Sequence, residues 1–484
     1  MKRSITYILI LLAFLGLGQS CVDDDSVGMI RDLSIINIQT VQDTFYVNFG
    51  EESTLPVTVT QTGSGSLTYE WGLGDVDSQG AIKDSLKVIS TESVLHYTFR
   101  KLGQFKVRLR VTNEDGSSFY YFELYVRSPF QEGMLVLSED ENKLGRTSFL
   151  RVKNPDEVVT GDEEFHLHAF EGVNPEIVLD DPQDVTWLDY MMILSDGGKV
   201  IHQYDKLSFD YISSIKVDQE IPGLKLKRIC LPNPPAGYSQ SLGWGTDGNS
   251  YIVDYNMMYV LADTRYSPGD RYDKLYFQGS AANALYVNFD QSYINHALGG
   301  IWPSPKFTSG NYFKGRYIVN LMADEGNQLH VITTDPGDAR EVTITSFTNM
   351  NAMVGWFQFS GAFLNPEDYS YHADQPLTLT REVEMLTNNA YNVTFYPRGK
   401  ELYQWIYKGK KLPETPLITL DGEITCMCLS PDSKYIYLGI WNPSAEETLK
   451  GSVYILDMKT NKIIRQYRGV ADKPMKIMYK EANN

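Results

Sequence analysis

Alternating apolar and polar positions predict that this chain is built mainly from β-strands. The clearest alternation covers 105–111, where Phe, Val, Leu and Val at every second position are separated by Lys and Arg. A period of two gives a strand one apolar and one basic face. Asn113–Gly116 reads as a turn and 119–126 as a returning strand, which we interpret as an edge hairpin of a sandwich. Because no segment shows helical periodicity beyond two turns, the expected fold class is all-β.

Residues 31–128 are predicted to form one small β domain. Its segments 33–38, 54–59 and 67–71 are short, rich in β-branched or aromatic residues, and separated by Gly/Ser turns. The Ser128-Pro129 pair marks its end, since proline terminates a strand.

A set of motifs recurs at characteristic spacing within this domain: Trp71-Gly-Leu-Gly74-Asp75, Tyr97-Thr-Phe99, Gly103, the alternation over 105–111, and Asn113-x-x-Gly116. In this spacing the domain resembles a known family, the PKD domains. It implies an immunoglobulin-like β-sandwich that serves as a spacer or an interaction module.

Residues 131–484 contain a loosely repeated phrase of an apolar strand, a polar turn and an aromatic-rich strand. Copies begin near residues 134, 191, 243, 321, 393, 428 and 451. Hairpin turns recurring at intervals of tens of residues are typical of a β-propeller, with about 40–50 residues per blade. We therefore expect six to eight blades over 131–484. Two further β-sandwiches are the competing interpretation.

The first residues predict an exported protein. Lys2 and Arg3 precede an apolar run from Tyr7 to Leu17 that is too short for a stable membrane span. Cys21 follows this run and is itself followed by an acidic cluster, which resembles the lipoprotein signal and surface-export tag of Bacteroidota. The resemblance implies a signal peptide over 1–20, lipidation of Cys21 and an acidic tether over 21–30. An ordinary signal peptide with an incidental cysteine remains the alternative.

Composition narrows the partners that can be expected. The formal charge is -18, and removal of Lys2 and Arg3 with the signal makes it -20. Such a surface repels phosphate backbones, so nucleic acid is not an expected partner. With Cys21 lipidated, Cys230, Cys426 and Cys428 remain, and we interpret all three as buried thiols.

Candidate chemistry is sparse. No nucleophile elbow, His-Glu-x-x-His motif or phosphate loop occurs, so no cofactor, metal or catalytic residue is predicted. His166-Leu-His168 would place two imidazoles on one strand face, which we interpret as an exposed face. The acidic run 180–184 could supply calcium ligands or glycosidase carboxylates, but solvated loop charge is the preferred interpretation. Trp244, Trp302 and Trp441 lie near predicted loops and are the candidate ligand-binding residues, able to stack on sugars or peptides.

The order of lipoprotein signal, PKD-type domain and propeller-like region resembles the PKD-like lipoproteins of Bacteroidota. That resemblance implies a cell-surface protein, tethered to the outer membrane, that acts as a non-catalytic binding or scaffold component beside a TonB-dependent glycan or nutrient uptake system. Two alternatives stay open: a propeller-type polysaccharide hydrolase or lyase, and a structural partner of an outer-membrane transporter that binds no small ligand.

Overall fold

The structure of the protein is a computed structural model. It describes residues 32–152, 165–187, 190–230, 240–262, 272–278, 283–298, 306–324, 328–348 and 363–481. Cys21, the signal over 1–20 and the tether over 21–30 lie outside these residues. The chain divides into two compact units, residues 1–127 and residues 128–484.

Strands dominate both units, which confirms the all-β fold class. The helices within the described residues are two short α-helices (Ala169–Val173 and Val217–Glu220) and three 3-10 turns (Asp196–Gly198, Asn389–Tyr391 and Tyr407–Gly409). Among these described helices, none has the length and apolar character needed to cross a bilayer.

The first unit contains nine strands. These are β1 (Ile36–Gln39), β2 (Thr44–Asn48), β3 (Glu52–Leu55), β4 (Thr58–Gln61), β5 (Thr68–Asp75), β6 (Lys87–Ser90), β7 (Leu95–Thr98), β8 (Gly103–Asn113) and β9 (Gly116–Arg127). The largest sheet has the order β2-β9-β8-β5-β6, and β1 pairs with β4 and β3 with β7. Only the β2–β9 pair in the largest sheet is parallel.

The period-two alternation decides which face of β8 is buried. Its four apolar side chains at positions 105–111 all lie in the core, together with Trp71 and Phe122. Trp71 is fully buried, and its indole nitrogen donates to the carbonyl oxygen of Glu92 at 2.8 Å. The predicted turn is also confirmed, because the Asn113 side chain accepts the N–H groups of Asp115 and Gly116.

Two details of the first unit differ from expectation. The β8–β9 hairpin is not at an edge, because β9 also pairs with β2 and β8 also pairs with β5. These partners lie far away in sequence, so the hairpin pattern carries no signal for them. The segment 54–59 is not one strand either. It is split between β3 and β4 at Pro56, which has no N–H to donate to a sheet.

The second unit begins with the strands of its first three sheets. They are β10 (Gly133–Glu139), β11 (Gly145–Arg151), β12 (His166–Leu167), β13 (Asp184–Trp187), β14 (Tyr190–Ser195), β15 (Val200–Asp205), β16 (Tyr211–Lys216), β17 (Leu226–Cys230), β18 (Gln240–Gly245), β19 (Ser250–Asp254) and β20 (Tyr259–Ala262).

Four further sheets follow along the chain. Their strands are β21 (Lys274–Gln278), β22 (Asn283–Asn288), β23 (Tyr293–Leu298), β24 (Lys306–Thr308), β25 (Tyr317–Ala323), β26 (Leu329–Thr334), β27 (Glu341–Thr348), β28 (Leu364–His372), β29 (Leu386–Asn388), β30 (Val393–Arg398), β31 (Glu401–Ile406), β32 (Ile418–Thr419), β33 (Glu423–Leu429), β34 (Tyr435–Trp441), β35 (Gly451–Asp457), β36 (Lys462–Ala471) and β37 (Lys473–Lys480).

The described strands of the second unit form seven four-stranded antiparallel sheets in a propeller-like arrangement. Six sheets use consecutive strands from β13 to β36, whereas the first sheet has the order β12-β11-β10-β37. The last strand therefore completes the first sheet, with Leu135 opposite Met478. First strands of neighbouring sheets also contact one another, as β13 does with β17 and β33 does with β37.

The repeated phrase corresponds to real hairpins, although not always to the same one. Strands are counted here in chain order within each sheet, except that β37 is counted as the first strand of the sheet β37-β10-β11-β12. On this count, the copies near 134, 191, 243 and 393 join the second and third strands of their sheets. The copies near 321 and 428 join the first and second strands, and the copy near 451 joins the third and fourth. The phrase therefore marks hairpins rather than blades.

Candidate functional site

A pocket of about 500 Å³ lies at the edge where first strands begin. Its lining comes from the third, fourth and sixth sheets: from β17, from the start of β21 and from the segment just before β29. The ends of second strands contribute as well, because antiparallel neighbours bring the end of a second strand to the start of the first. Trp244 on β18, for example, is directly opposite Arg228 on β17. We call this site the first-strand pocket.

The lining of the first-strand pocket carries both signs of charge. Among the described residues it consists of four cationic side chains (Lys227, Arg228, Lys274 and Arg381), four acidic ones (Asp273, Asp290, Glu382 and Glu384) and two aromatic ones (Trp244 and Phe289). A volume of this order is typical of small-ligand sites, although most such sites have a predominantly apolar lining, whereas eight of these ten residues are charged.

Lys274 joins the fourth sheet to the segment that precedes the sixth. Its ammonium group donates to the carbonyl oxygens of Arg381 at 2.7 Å and Val383 at 2.9 Å. Burial lowers the pKa of Lys274 to about 8, although the negative charge of the nearby Glu384 carboxylate acts to raise it. The side-chain amide of Asn320 donates to Val383 as well, at 2.9 Å. The backbone of residues 380–384, which we call the 380–384 segment, is therefore fixed from two neighbouring sheets.

Two arginines of the pocket are oriented by different contacts. Arg228 forms an ion pair with Glu384 at 2.8 Å; the Arg228 side chain is half-buried and that of Glu384 is exposed, so this pair adds little stability. Arg381 donates through Nε to the carbonyl oxygen of Ile318 at 2.8 Å. Its guanidinium also lies over the rings of Phe289 and Tyr317.

The pocket includes one of the three predicted tryptophans. Trp244 lines it but is only 5% exposed, so it offers little ring surface for stacking. Trp441 does not line the pocket; Lys473 lies over its ring, with the ammonium 4.8 Å from the centroid. Trp302 lies outside the described residues. The sequence interpretation did not predict Lys274 or the 380–384 segment as part of a site. The only feature of the sequence that could have indicated them is that they are charged residues close to the start of a strand.

The histidine pair does not share a strand face as the sequence suggested. β12 ends at Leu167, and His168 has a left-handed backbone with φ of 57°, because the chain turns there into a short helix. His166 instead packs its ring near Phe130.

Elsewhere Asp338, Glu341 and His372 place ligand atoms within 4.8 Å of one another. Glu341 accepts a hydrogen bond from Nδ1 of His372 at 2.8 Å, and Asp338 forms an ion pair with Arg340 at 3.2 Å, so each of these groups already has a partner.

The acidic run at 180–184 was only partly interpreted correctly. Asp184, at its end, is buried rather than solvated and forms an ion pair with Lys476 of β37. Its other oxygen accepts the N–H of Ile229 at 2.8 Å. Cys426 and Cys428, predicted to be buried thiols, are free thiols on residues that are only partly buried. Burial of the thiol group nevertheless raises the pKa of Cys426 to about 12. The side chain of Cys230 lies outside what the structure describes.

No protein-family model and no curated protein matches the chain. Among solved structures, a quinonprotein alcohol dehydrogenase-like protein from Bacteroides thetaiotaomicron is similar over 91% of this chain and 97% of its own, with 12% identity and a TM-score of 0.48. A functionally unknown protein from Desulfotomaculum acetoxidans is similar over 72% of this chain and 100% of its own (9% identity, TM-score 0.44). AztD of Citrobacter koseri is similar over 87% of this chain and 100% of its own (10% identity, TM-score 0.39). Similarities this distant carry no inference about activity.

Proposed function

We propose that the protein is a lipid-anchored cell-surface lipoprotein of the PKD-like type that binds a ligand in the first-strand pocket without chemical turnover. In this proposal Cys21 carries the lipid, and the protein serves a TonB-dependent glycan or nutrient uptake system in the outer membrane. The observation that carries the binding role is the first-strand pocket itself, where three sheets place charged and aromatic side chains around one cavity.

The second unit is proposed to be a seven-bladed propeller. Seven four-stranded sheets of described residues, with β37 completing the first of them, support this count. Pairing the last strand with the first sheet leaves no open end, which is how a propeller protects its sheet edges. For the first unit, the buried Trp71 and the confirmed turn at Asn113–Gly116 support the PKD-type sandwich.

Binding is favoured over hydrolysis by the electrostatics of the pocket. A glycosidase needs a carboxyl group whose pKa is raised, so that it can donate a proton. The pKa of Glu382 is instead lowered, chiefly by a hydrogen bond from the side chain of Thr380. Glu384 forms an ion pair with Arg228 at 2.8 Å. Hydroxyl groups of a saccharide both donate and accept hydrogen bonds, and therefore match a lining with both signs of charge.

The binding role is tested with the full chain purified in detergent and a panel of polysaccharides, oligosaccharides and peptides. At least one saccharide should bind, and Lys227→Glu, at the exposed mouth of the pocket, should weaken it by fivefold or more. Lys459→Glu is the matched control, because this exposed lysine lies in the β35–β36 turn at the opposite edge of the seventh sheet. Co-isolation of an outer-membrane transporter with no saccharide or peptide bound would contradict the proposal.

The anchor is tested separately by Cys21→Ser. Metabolic labelling with a fatty acid should mark the unmodified chain and not the variant, and the variant should leave the membrane fraction. Continued labelling of Cys21→Ser would contradict lipidation at this residue.

A further inference from the structure

The most specific feature of the first-strand pocket is the way Arg381 is held. Its guanidinium carbon lies 3.5 Å from the ring centroid of Tyr317 and 4.3 Å from that of Phe289. The Nε–H is bound to the carbonyl oxygen of Ile318. Within the described part of the chain, the two terminal amino groups of Arg381 have no hydrogen-bond or ion-pair partner.

We propose that Arg381 binds a carboxylate group of the ligand, so that the first-strand pocket recognises an acidic saccharide such as a uronic acid. This inference rests on the proposed binding function of the pocket and adds the chemical class of the ligand. A guanidinium presents a planar pair of N–H donors that matches the two oxygens of a carboxylate, and such bidentate contacts are both strong and geometrically selective.

Preorganisation distinguishes Arg381 from an ordinary surface arginine. The aromatic contacts and the Nε–H bond fix the plane of the guanidinium before a ligand arrives. The backbone that carries it is fixed too, since Lys274 donates to the carbonyl oxygen of Arg381 itself. A side chain that is already ordered loses less conformational entropy when it binds, which favours affinity. Lys227, also without a partner in the described residues, supplies a second positive charge in the same lining.

The acidic residues of the pocket limit how much negative charge the ligand can carry. Asp273, Asp290 and Glu382 lie in the same lining, and they repel a dianion such as a phosphate monoester. Asp273 already accepts the N–H of Phe289 at 2.7 Å, whereas Asp290 has no partner among the described residues. A singly charged carboxylate surrounded by hydroxyl groups fits this balance, because a hydroxyl can donate to Asp290.

The test compares acidic saccharides with their uncharged forms on the unmodified full chain in detergent. The probes are trigalacturonate and trimannuronate, each paired with its methyl ester, and isothermal titration gives the dissociation constants. At least one acid should bind, with its ester weaker by tenfold or more. Equal binding of acid and ester, or binding of neither acid, would overturn the inference. A neutral oligosaccharide that binds when the acids do not would overturn it while leaving the proposed binding function intact.

Arg381→Lys then tests the residue. The variant keeps the charge but loses the planar pair of donors, so affinity for the acid should fall tenfold or more while affinity for the ester stays within twofold. Arg465→Lys is the matched control, since Arg465 also lies over a ring, that of Tyr467, but on the fourth strand of the seventh sheet. Unchanged affinity of Arg381→Lys for the acid, with a wild-type thermal unfolding curve, would overturn the assignment. Tighter binding of glucose 6-phosphate than of either uronate would do the same.

Discussion

The ammonium group of Lys274 donates to the carbonyl oxygen of Val383 at 2.9 Å, which joins the start of β21 to the 380–384 segment before β29. One buried side chain thereby ties the fourth sheet to the sixth at the edge that carries the first-strand pocket. The contact gives the pocket a defined backbone on which Arg381 and Glu384 are displayed.

Replacing Lys274 should disturb the pocket more than the fold. Lys274→Met removes the donors to Arg381 and Val383, although Val383 keeps its bond from Asn320. The 380–384 segment should loosen, and ligand affinity should fall by fivefold or more in isothermal titration. Loss of a buried charge offsets part of the lost hydrogen bonding, so the free energy of unfolding should change by less than about 3 kcal/mol. Full affinity in the variant would show that Lys274 does not organise the site.

The same lysine should contribute stability that increases with pH at alkaline pH. Its pKa is about 8 in the folded protein because of burial, and 10.5 is the ordinary value. Above pH 8 the unfolded chain keeps a proton that the folded chain has lost, so the free energy of unfolding increases with pH. The buried thiol of Cys426, whose pKa is raised to about 12, acts in the opposite direction over this range, so the test is the difference between two proteins. In urea titrations from pH 8 to 9.5, the free energy of unfolding should change more favourably in the unmodified protein than in Lys274→Met, and Lys480, whose pKa burial also lowers to about 8, contributes equally to both. An equal change in both proteins would contradict the assignment.

A second pH effect should appear at acidic pH. His202 is buried against Ser195, with its Nε2 2.9 Å from the hydroxyl oxygen. Burial and the positive charge of Lys216 lower its pKa to about 4. As the pH falls from 6.5 to 4, the unfolded chain takes up a proton that the folded chain does not, so stability is lost by up to about 3 kcal/mol. In His202→Gln the urea midpoint should fall less across this range. An identical slope in both proteins would contradict the assignment.

The ion pair between Lys476 and Asp184 should be costly to break from one side. Asp184 has only 4% of its side chain exposed, so Lys476→Met would leave a buried carboxylate with the Ile229 N–H as its main partner. Such losses cost about 3–5 kcal/mol. The double variant Lys476→Met with Asp184→Asn should recover part of that stability, because the uncompensated charge is gone. Additive losses in chemical denaturation would argue against a coupled pair.

Closure by the last strand should be essential for the second unit. A chain that ends at Asp472 lacks β37, which leaves the β10 edge unpaired and removes Lys476. Near-ultraviolet circular dichroism should show loss of fixed packing and of cooperative unfolding. A chain that ends at Glu481 retains β37 and is the control. Cooperative unfolding of the shorter chain would contradict the role assigned to this strand.

The sequence predicted local features well, and long-range ones poorly. The alternation over 105–111 and the pattern at Asn113–Gly116 correctly predicted a buried strand face and a turn, because both depend on neighbouring residues. The position of the β8–β9 hairpin inside its sheet was not predicted, since pairing with β2 and β5 depends on distant segments. The repeated phrase located hairpins, but it falls at different positions within the sheets and so could not give their number.

The candidate site shows the same division. Trp244 could be singled out from the sequence because it lies between Gly243 and Gly245, and its role in binding stays a prediction. Arg381 and Lys274 are charged residues of a common kind until the fold brings them together. Asp184 was misread as loop charge because its partner Lys476 is supplied by β37, nearly three hundred residues later in the chain. Burial that depends on such a distant partner leaves no local pattern.

The most direct test is amide hydrogen exchange of the full chain, with and without the tightest-binding saccharide. The account predicts slower exchange in the 380–384 segment and at the start of β21, with no change in residues 32–127. Protection confined to residues 32–127, or absent from the 380–384 segment while the ligand is bound, would contradict it.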